Sequence, residues 1–328
     1  MRPKPRAHRK HEMIRLTWRL ALIVPTVLAA SIVVFVVMRV LPGDVVGIII
    51  GDIPASSEAR EALEEELGLN NPLTVQYGRW LWSMVNGEFG GRSLESRDPI
   101  RSIIGRQLPV TLMLAGYTVL LSVFVSVPLG VLAAARSGQW PDYVIRGATL
   151  GGLALPNLLV ALLVILGLLI FFQWSPPIIY SSPWSNPWTH IQMLVWPALI
   201  LAWEQSSHLV RVTRSSMLTA LSQDYVVTAR SKGLSERSII LQHGFPNARI
   251  PAVTMLGLQF GSLVSGALIL ETIFGLPGIG RGLVQAALAR DYQVVQSLAT
   301  CLVFLSLIVN LFVDTIYAYI DPRISRDS

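Results

Sequence analysis

From Gly147 to Trp203 the chain carries no Asp, Glu, Lys or Arg. About 20 apolar residues already span the roughly 30 Å of bilayer hydrocarbon, so this stretch must cross a membrane, turn and return. The turn is written at Phe171 to His190, where four prolines and three tryptophans suit an irregular interfacial loop with an aromatic belt. The flanks then give spans near Gly147 to Ile170 and Ile191 to Val212. Further apolar runs lie at Leu20 to Met38, Gln107 to Ala135, Ile250 to Leu270 and Tyr292 to Val313. The expected fold class is an all-α polytopic membrane protein with about six transmembrane helices. Only 14% of the residues are charged, against roughly 25% in soluble domains.

Arg and Lys in the short loops set the orientation. Seven of the 26 precede Leu20, Arg136 and Arg146 flank the second loop, and Arg214, Arg230, Lys232, Arg237 and Arg249 fill the fourth. The third loop has none. The basic segments belong in the cytoplasm and the third loop outside, giving an N-in, C-in chain with a long external loop after the first helix. The expected organisation is a basic cytoplasmic tail at 1–19, a first span at 20–39 and an external loop at 40–106. A five-helix core at 107–320 follows, with a cytoplasmic loop at 222–249 and a cytoplasmic tail at 321–328. A cleaved signal peptide is the competing reading of the N-terminus, but the apolar run is long and ends at Arg39 without a convincing cleavage site. The basic charge reads as an anchor beside anionic lipid, with no nucleic-acid partner expected. Within the first loop, Ser56 to Asn70 reads as a short helix with Ser56 or Ser57 as N-cap, Glu58 and Glu61 at its positive end and Gly68 as its stop.

Several chemistries lack their residues. The three lysines, Lys4, Lys10 and Lys232, follow no glycine, so the phosphate-cradling GxxxxGK[ST] loop is absent. HExxH and GxSxG are also missing. The single cysteine, Cys301, and five scattered histidines argue against disulfide frameworks and metal clusters. The glycine-rich Phe274 to Gly282 reads as an irregular turn between the fifth and sixth spans. No catalytic residue and no bound cofactor are expected.

The cytoplasmic segment Gln223 to Pro251 is richer. Asp224 is placed to cap a helix from Tyr225 to Lys232, Gly233 to end it in the left-handed region, Ser235 to cap a second short helix and Pro246 to close that one. Ala229 permits close approach by a partner, while Arg230 and Lys232 offer charge. A basic loop that only enforces topology would explain the cations but not this capped, glycine-broken helix pair.

The segment resembles the coupling motif of binding-protein-dependent ABC importer permeases of the dipeptide/oligopeptide/nickel family, which reads approximately DYVxTARAKGL, then a His and an Asn-Ala pair. Asp224, Tyr225, Val226, Thr228, Ala229, Arg230, Lys232, Gly233, Leu234, His243, Asn247 and Ala248 match, and Ser231 departs where Ala is usual. Similar stretches are LPGD at Leu41 to Asp44, LGLNNPLTVQYGRWL at Leu67 to Leu81, NGEFG at Asn86 to Gly90 and RVTRSSML at Arg211 to Leu218. ETIFGLPGIG at Glu271 to Gly280, RDY at Arg290 to Tyr292 and DPR at Asp321 to Arg323 complete the series, while Val45 stands where the family has Pro. The resemblance implies a type I ABC importer permease in a bacterial or archaeal inner membrane. It also implies a second homologous permease, two cytoplasmic ABC ATPases holding ATP and Mg, and an external substrate-binding protein. Asp224, Tyr225, Thr228, Ala229, Arg230, Lys232, Gly233 and Leu234 would then form the ATPase-coupling element. Di- or oligopeptides lead as substrate, with nickel chelates or other small solutes behind.

Two features inside the spans stand apart. Glu204 and His208 lie four residues apart on one helix face, where the family has small apolar residues. They read either as a pair satisfying itself or as a polar lining of the translocation path. Glu271 resembles a family position near the outer gate, the alternative being an exposed helix-end carboxylate. An ion-coupled carrier would carry buried acids in several spans, whereas here they concentrate in the fourth. The orientation is checked by cysteine labelling. A Cys at Ser235 should resist an impermeant reagent in intact cells, and external labelling there would refute the arrangement.

Overall fold

The computed structural model describes residues 24–40, 58, 61, 65 and 70–320, the side chains of 260–262, 265 and 313–320 excepted. The helices are α1 (Val24–Val40), α2 (Leu73–Val85), α3 (Ile100–Ala135), α4 (Trp140–Ala154), α5 (Asn157–Phe172) and α6 (Pro187–Leu221). They continue with α7 (Asp224–Ser231), α8 (Glu236–Ser238), a π-helical turn at Ile239–Gly244, α9 (Phe245–Ile273), α10 (Ile279–Leu288) and α11 (Tyr292–Ile320). Among the described residues there is no strand, only one isolated bridge, Arg92 with Pro99. Among the described residues the six expected apolar runs are helical, the third being divided between α4 and α5. By length and composition α3 and α11 each suffice to cross a membrane, as does the α4–α5 pair taken together. The chain divides into two compact units.

The first unit comprises residues 1–110 and 277–308. Its core is Ile100, Ile104, Ile279, Ala286, Val294, Val295 and Leu298, with Phe89 packed against it. Asp291 organises the adjoining loop. One carboxylate oxygen accepts from the Ser93 hydroxyl (2.6 Å) and from the amides of Leu94 and Glu95, while the other accepts from Val294 N–H at the start of α11. The same buried side chain therefore caps a helix and fastens a distant loop. Gly90 has φ +92°, and a Cβ there would press on Trp80 and the Ser297 hydroxyl, so glycine is required twice over. The aromatic ladder Phe35–Tyr77–Trp80 and the Ser31–Tyr77 hydrogen bond (2.8 Å) join α1 to α2.

The second unit, residues 111–276 with 309–328, is built around α6. Three neighbours approach it through glycines. Gly130 of α3 lies on Thr213, Gly152 of α4 on Ser207 and the Trp203 carbonyl, and Gly266 of α9 on Leu201. In lipid, where helices gain little from hydrophobic burial against each other, such small-residue contacts carry the packing. At one end of α6 the buried His190 donates through Nδ1 to the Ser181 carbonyl (3.1 Å), leaving Nε2 to accept from the Tyr117 hydroxyl (3.1 Å). This anchors the Pro- and Trp-rich loop. Towards the other end Arg214 grips Asp142 with two hydrogen bonds of 2.7 and 2.8 Å. The Asp142 side chain is 1% exposed, and it also accepts from Gly138 N–H. The ion pair joins the second and fourth loops, which the positive-inside rule places on the same side.

The helices depart from the sequence expectations at five points. The third span is not one rod: α4 and α5 meet at 106°. Leu155 precedes Pro156 and takes an extended conformation (ψ 125°), because the proline ring clashes with a helical predecessor. The expected external loop 40–106 contains α2, and α3 begins at Ile100 inside that expected loop. The glycine-rich turn is irregular only as far as Gly278, after which Ile279 starts α10. Gln223, not Asp224, occupies the N-cap of α7, and Asp224 sits in its first turn. Pro246 does not close the second cytoplasmic helix: the chain passes through the π turn into α9, with Phe245 N–H bonded to the Ile240 carbonyl. A π turn widens the backbone where the proline withholds a donor. In the expected Ser56 to Asn70 helix, Glu58, Glu61 and Glu65 are helical and exposed. Its proposed caps lie outside the described residues, as do the two tails and the LPGD and DPR motifs.

Hydrogen bonding from Arg214 holds the Asp142 carboxyl below its ordinary value. The pair's contribution is therefore complete above the unfolded carboxylate range, near about 4, and is lost as pH falls through the lower folded value. Arg214→Gln removes the cation and leaves a buried carboxylate, which is destabilising. The purified variant should melt several degrees lower at pH 7, and the gap between the two proteins should narrow as pH falls below the ordinary carboxylate range. Coincident pH–melting curves for the two proteins would contradict the assignment.

Candidate functional site: a braced cytoplasmic helix pair

Helix α7 ends in a Schellman arrangement: Gly233 N–H bonds the Arg230 carbonyl (2.9 Å) and Leu234 N–H the Ala229 carbonyl (3.3 Å). Gly233 has φ +77°, as its place in the sequence predicts. The Ser235 hydroxyl accepts from Ser238 N–H and caps α8. Val226, Ala229 and Ile239 form a small buried core with Leu221 beside it. Ala229 is 4% exposed, so its small side chain serves the packing of α7 on the π turn and presents no surface to a partner.

Polar contacts brace the element from outside. Arg230 forms a two-pronged bond with Glu236 (2.8 and 3.2 Å); each group shifts the other toward its charged form, chiefly through the hydrogen bond. The Tyr225 hydroxyl donates to the His243 carbonyl (3.3 Å) and accepts from the Asn247 amide (2.9 Å). Asn247 also donates to the His243 carbonyl (3.2 Å). Three motif positions, Tyr225, His243 and Asn247, are thus one knot tying α7 to the first turn of α9. Asp224, Thr228, Lys232 and Leu234 are exposed, and the apolar part of the free surface is Val227, Leu234 and Leu241. Spacing alone did not show Glu236 as the partner of Arg230, although the six-residue separation across a glycine turn is consistent with it.

The intramembrane residues fall differently from the simplest readings. Glu204 accepts a hydrogen bond from the Asn157 side chain, so its partner is the first residue of α5, delivered by the break at Pro156. His208 makes no hydrogen bond or ion pair among the described residues, and the two do not satisfy each other. Glu271 is fully buried and accepts from the Thr111 hydroxyl (2.7 Å). The exposed-carboxylate alternative is thereby overturned. An acid near a helix C-terminus opposes the macrodipole, which makes such a partner necessary.

The sequence of the chain matches known proteins along its length. Residues 126–326 match the family model described as binding-protein-dependent transport system inner membrane component, and residues 13–115 match its N-terminal companion. The chain is 39% identical to a putative peptide transport system permease protein of Brucella suis, over 94% of this chain and 98% of that one. It is 37% identical to the oligopeptide transport system permease protein AppB of Bacillus subtilis, over 92% and 96%. With the dipeptide transport system permease protein DppB of Escherichia coli K12 the identity is 34%, over 93% and 97%. The chain belongs to the family of binding-protein-dependent transport system inner membrane components. It is a multi-pass permease subunit of an ABC importer.

The Schellman turn makes a quantitative test. Gly233→Ala places a Cβ in the left-handed region at a cost of about 1 kcal/mol. Amide exchange across residues 224–234 should accelerate roughly fivefold, with the global melting temperature unchanged. Unaltered exchange there would show that the turn does not hold the element.

Proposed function

We propose that this chain forms half of the translocation path of an ATP-driven importer of di- or oligopeptides. It pairs with a second, homologous permease, two cytoplasmic ABC ATPases and an external substrate-binding protein. The chain itself binds no cofactor and catalyses no step; ATP and Mg belong to the ATPases. What carries the reading is the braced pair α7–α8. Its internal contacts are all made within the chain, yet it leaves Val227, Leu234 and Leu241 exposed on a loop that the charges place in the cytoplasm. A docking surface of this kind transmits force only when it is stiff, and the Schellman turn, the Arg230–Glu236 fork and the Tyr225–Asn247 knot make it so. ATP-driven closure of the ATPases would move this lever as a body and rock α6 and α9 between inward- and outward-facing arrangements. The relatives named for peptide and dipeptide transport support the substrate class.

Leu234→Asp and Leu241→Asp should abolish co-purification of the ATPases and ATP-dependent uptake of a labelled dipeptide, while the permease still inserts and melts normally. Dipeptide uptake driven by a proton or sodium gradient, with no ATPase present, would overturn the proposal in favour of an ion-coupled carrier.

A further inference from the structure

Along α6, Glu204, His208, Arg211 and Ser215 follow one another at intervals of four, three and four residues. At 100° per residue they fall within an arc of about 60°, so they form one polar stripe. The neighbours on the opposite face, Gln205, Ser206, Leu209, Val210 and Thr213, are buried against other helices of the chain. The stripe is not: Glu204 and His208 are half-buried, and Arg211 and Ser215 are exposed. Asn157 occupies one carboxylate oxygen of Glu204, and the other has no partner among the described residues. Neither His208 nor Arg211 has one. A carboxylate, an imidazole and a guanidinium aligned within a span cannot face lipid at tolerable cost. This stripe therefore faces water.

We propose that Glu204, His208 and Arg211 form a charged track that binds the two ends of a short zwitterionic peptide as it crosses. The inference rests on the peptide-importer reading above and adds to it the residues that read the substrate. Seven residues of helix separate Glu204 from Arg211 by about 10 Å along the axis. A fully extended chain spans at most about 3.3–3.6 Å per residue, so a tripeptide places its ammonium and carboxylate about that far apart. The carboxylate of Glu204, steadied by Asn157 at the helix break, takes the ammonium. The guanidinium of Arg211 takes the carboxylate as a two-pronged partner, and His208 lies between them beside the peptide backbone.

The test uses the assembled, nucleotide-free complex carrying His208→Cys in a Cys301→Ala background. A negatively charged thiol reagent should modify Cys at 208, because the stripe is in water; no reaction would overturn the proposal. Trialanine should slow that modification, whereas trialanine acetylated at its N-terminus and amidated at its C-terminus should need about tenfold more. Glu204→Gln and Arg211→Gln should each remove the advantage of the free peptide. Equal protection by the free and capped peptides, or protection indifferent to both substitutions, would refute the track. Uptake of trialanine by the unmodified complex is measured in parallel. If uptake is normal but protection fails, the importer reading stands and the track falls. If neither trialanine nor a dipeptide is taken up, the peptide reading itself is overturned.

Discussion

Helix α6 is the element on which the second unit depends, because it carries polar groups through a medium that offers them no water. Every one of those groups needs a partner inside the protein or an aqueous space. The neighbouring helices meet much of that need. Ser206 donates to the Ser122 carbonyl of α3, Gln259 of α9 donates to the Gln205 carbonyl, and Trp203 donates to the Ala148 carbonyl of α4. Glycines at 130, 152 and 266 bring the same three helices close enough for such bonds to form. Packing and hydrogen bonding are therefore one constraint: a larger residue at any of these glycines would push away a helix whose polar contacts α6 requires.

The break at Pro156 follows from the same logic. A straight helix through 147–170 would carry Asn157 past α6 along with the rest of an apolar rod. The 106° bend makes Asn157 the first residue of a new helix and sets its amide against Glu204. Irregular backbone at membrane depth is tolerated where it is covered by protein or lines water, and here it supplies a donor to a carboxylate. Glu271 and Thr111 repeat the arrangement on α9 and α3, an acid satisfied by a group from another helix.

Much of this was legible in the residues alone. The charge-free runs located the helices, Gly233 and Ser235 marked the turn and cap of the cytoplasmic pair, and the motif from Asp224 to Ala248 pointed to the family. What escaped were facts of three-dimensional partnership. Ala229 reads as a docking residue in one dimension because its neighbours Val226 and Ile239, which cover it, are separated from it by differing intervals. Asn157 lies 47 residues from Glu204, so helical periodicity paired that acid with His208 instead. Helix α2 lies within the stretch expected as external loop, because it is too short for a span and its packing through Tyr77 on Phe35 of α1 is a contact between distant residues. Asp224 was assigned to the cap by residue type, whereas backbone geometry gives that place to Gln223.

The position of α6 links the two ends of the transport problem. Its last residue, Leu221, packs beside the small core of Val226, Ala229 and Ile239, with only Ser222 and Gln223 between it and α7. The π turn leads directly into α9 on the other side. A displacement of the cytoplasmic pair is thus passed to two helices that already share hydrogen bonds and glycine contacts along their length. Arg214 adds α4 to this group through Asp142. Packed helices of this kind move as bodies between discrete arrangements and do not bend to order. On the proposed mechanism the stripe from Glu204 to Ser215 would shift with the lever, since Leu221 at the end of its helix packs on the lever's core. On the proposed reading, substrate contacts and the coupling contact need no relay between them: the first lie along α6, and the second is the element packed on its last residue.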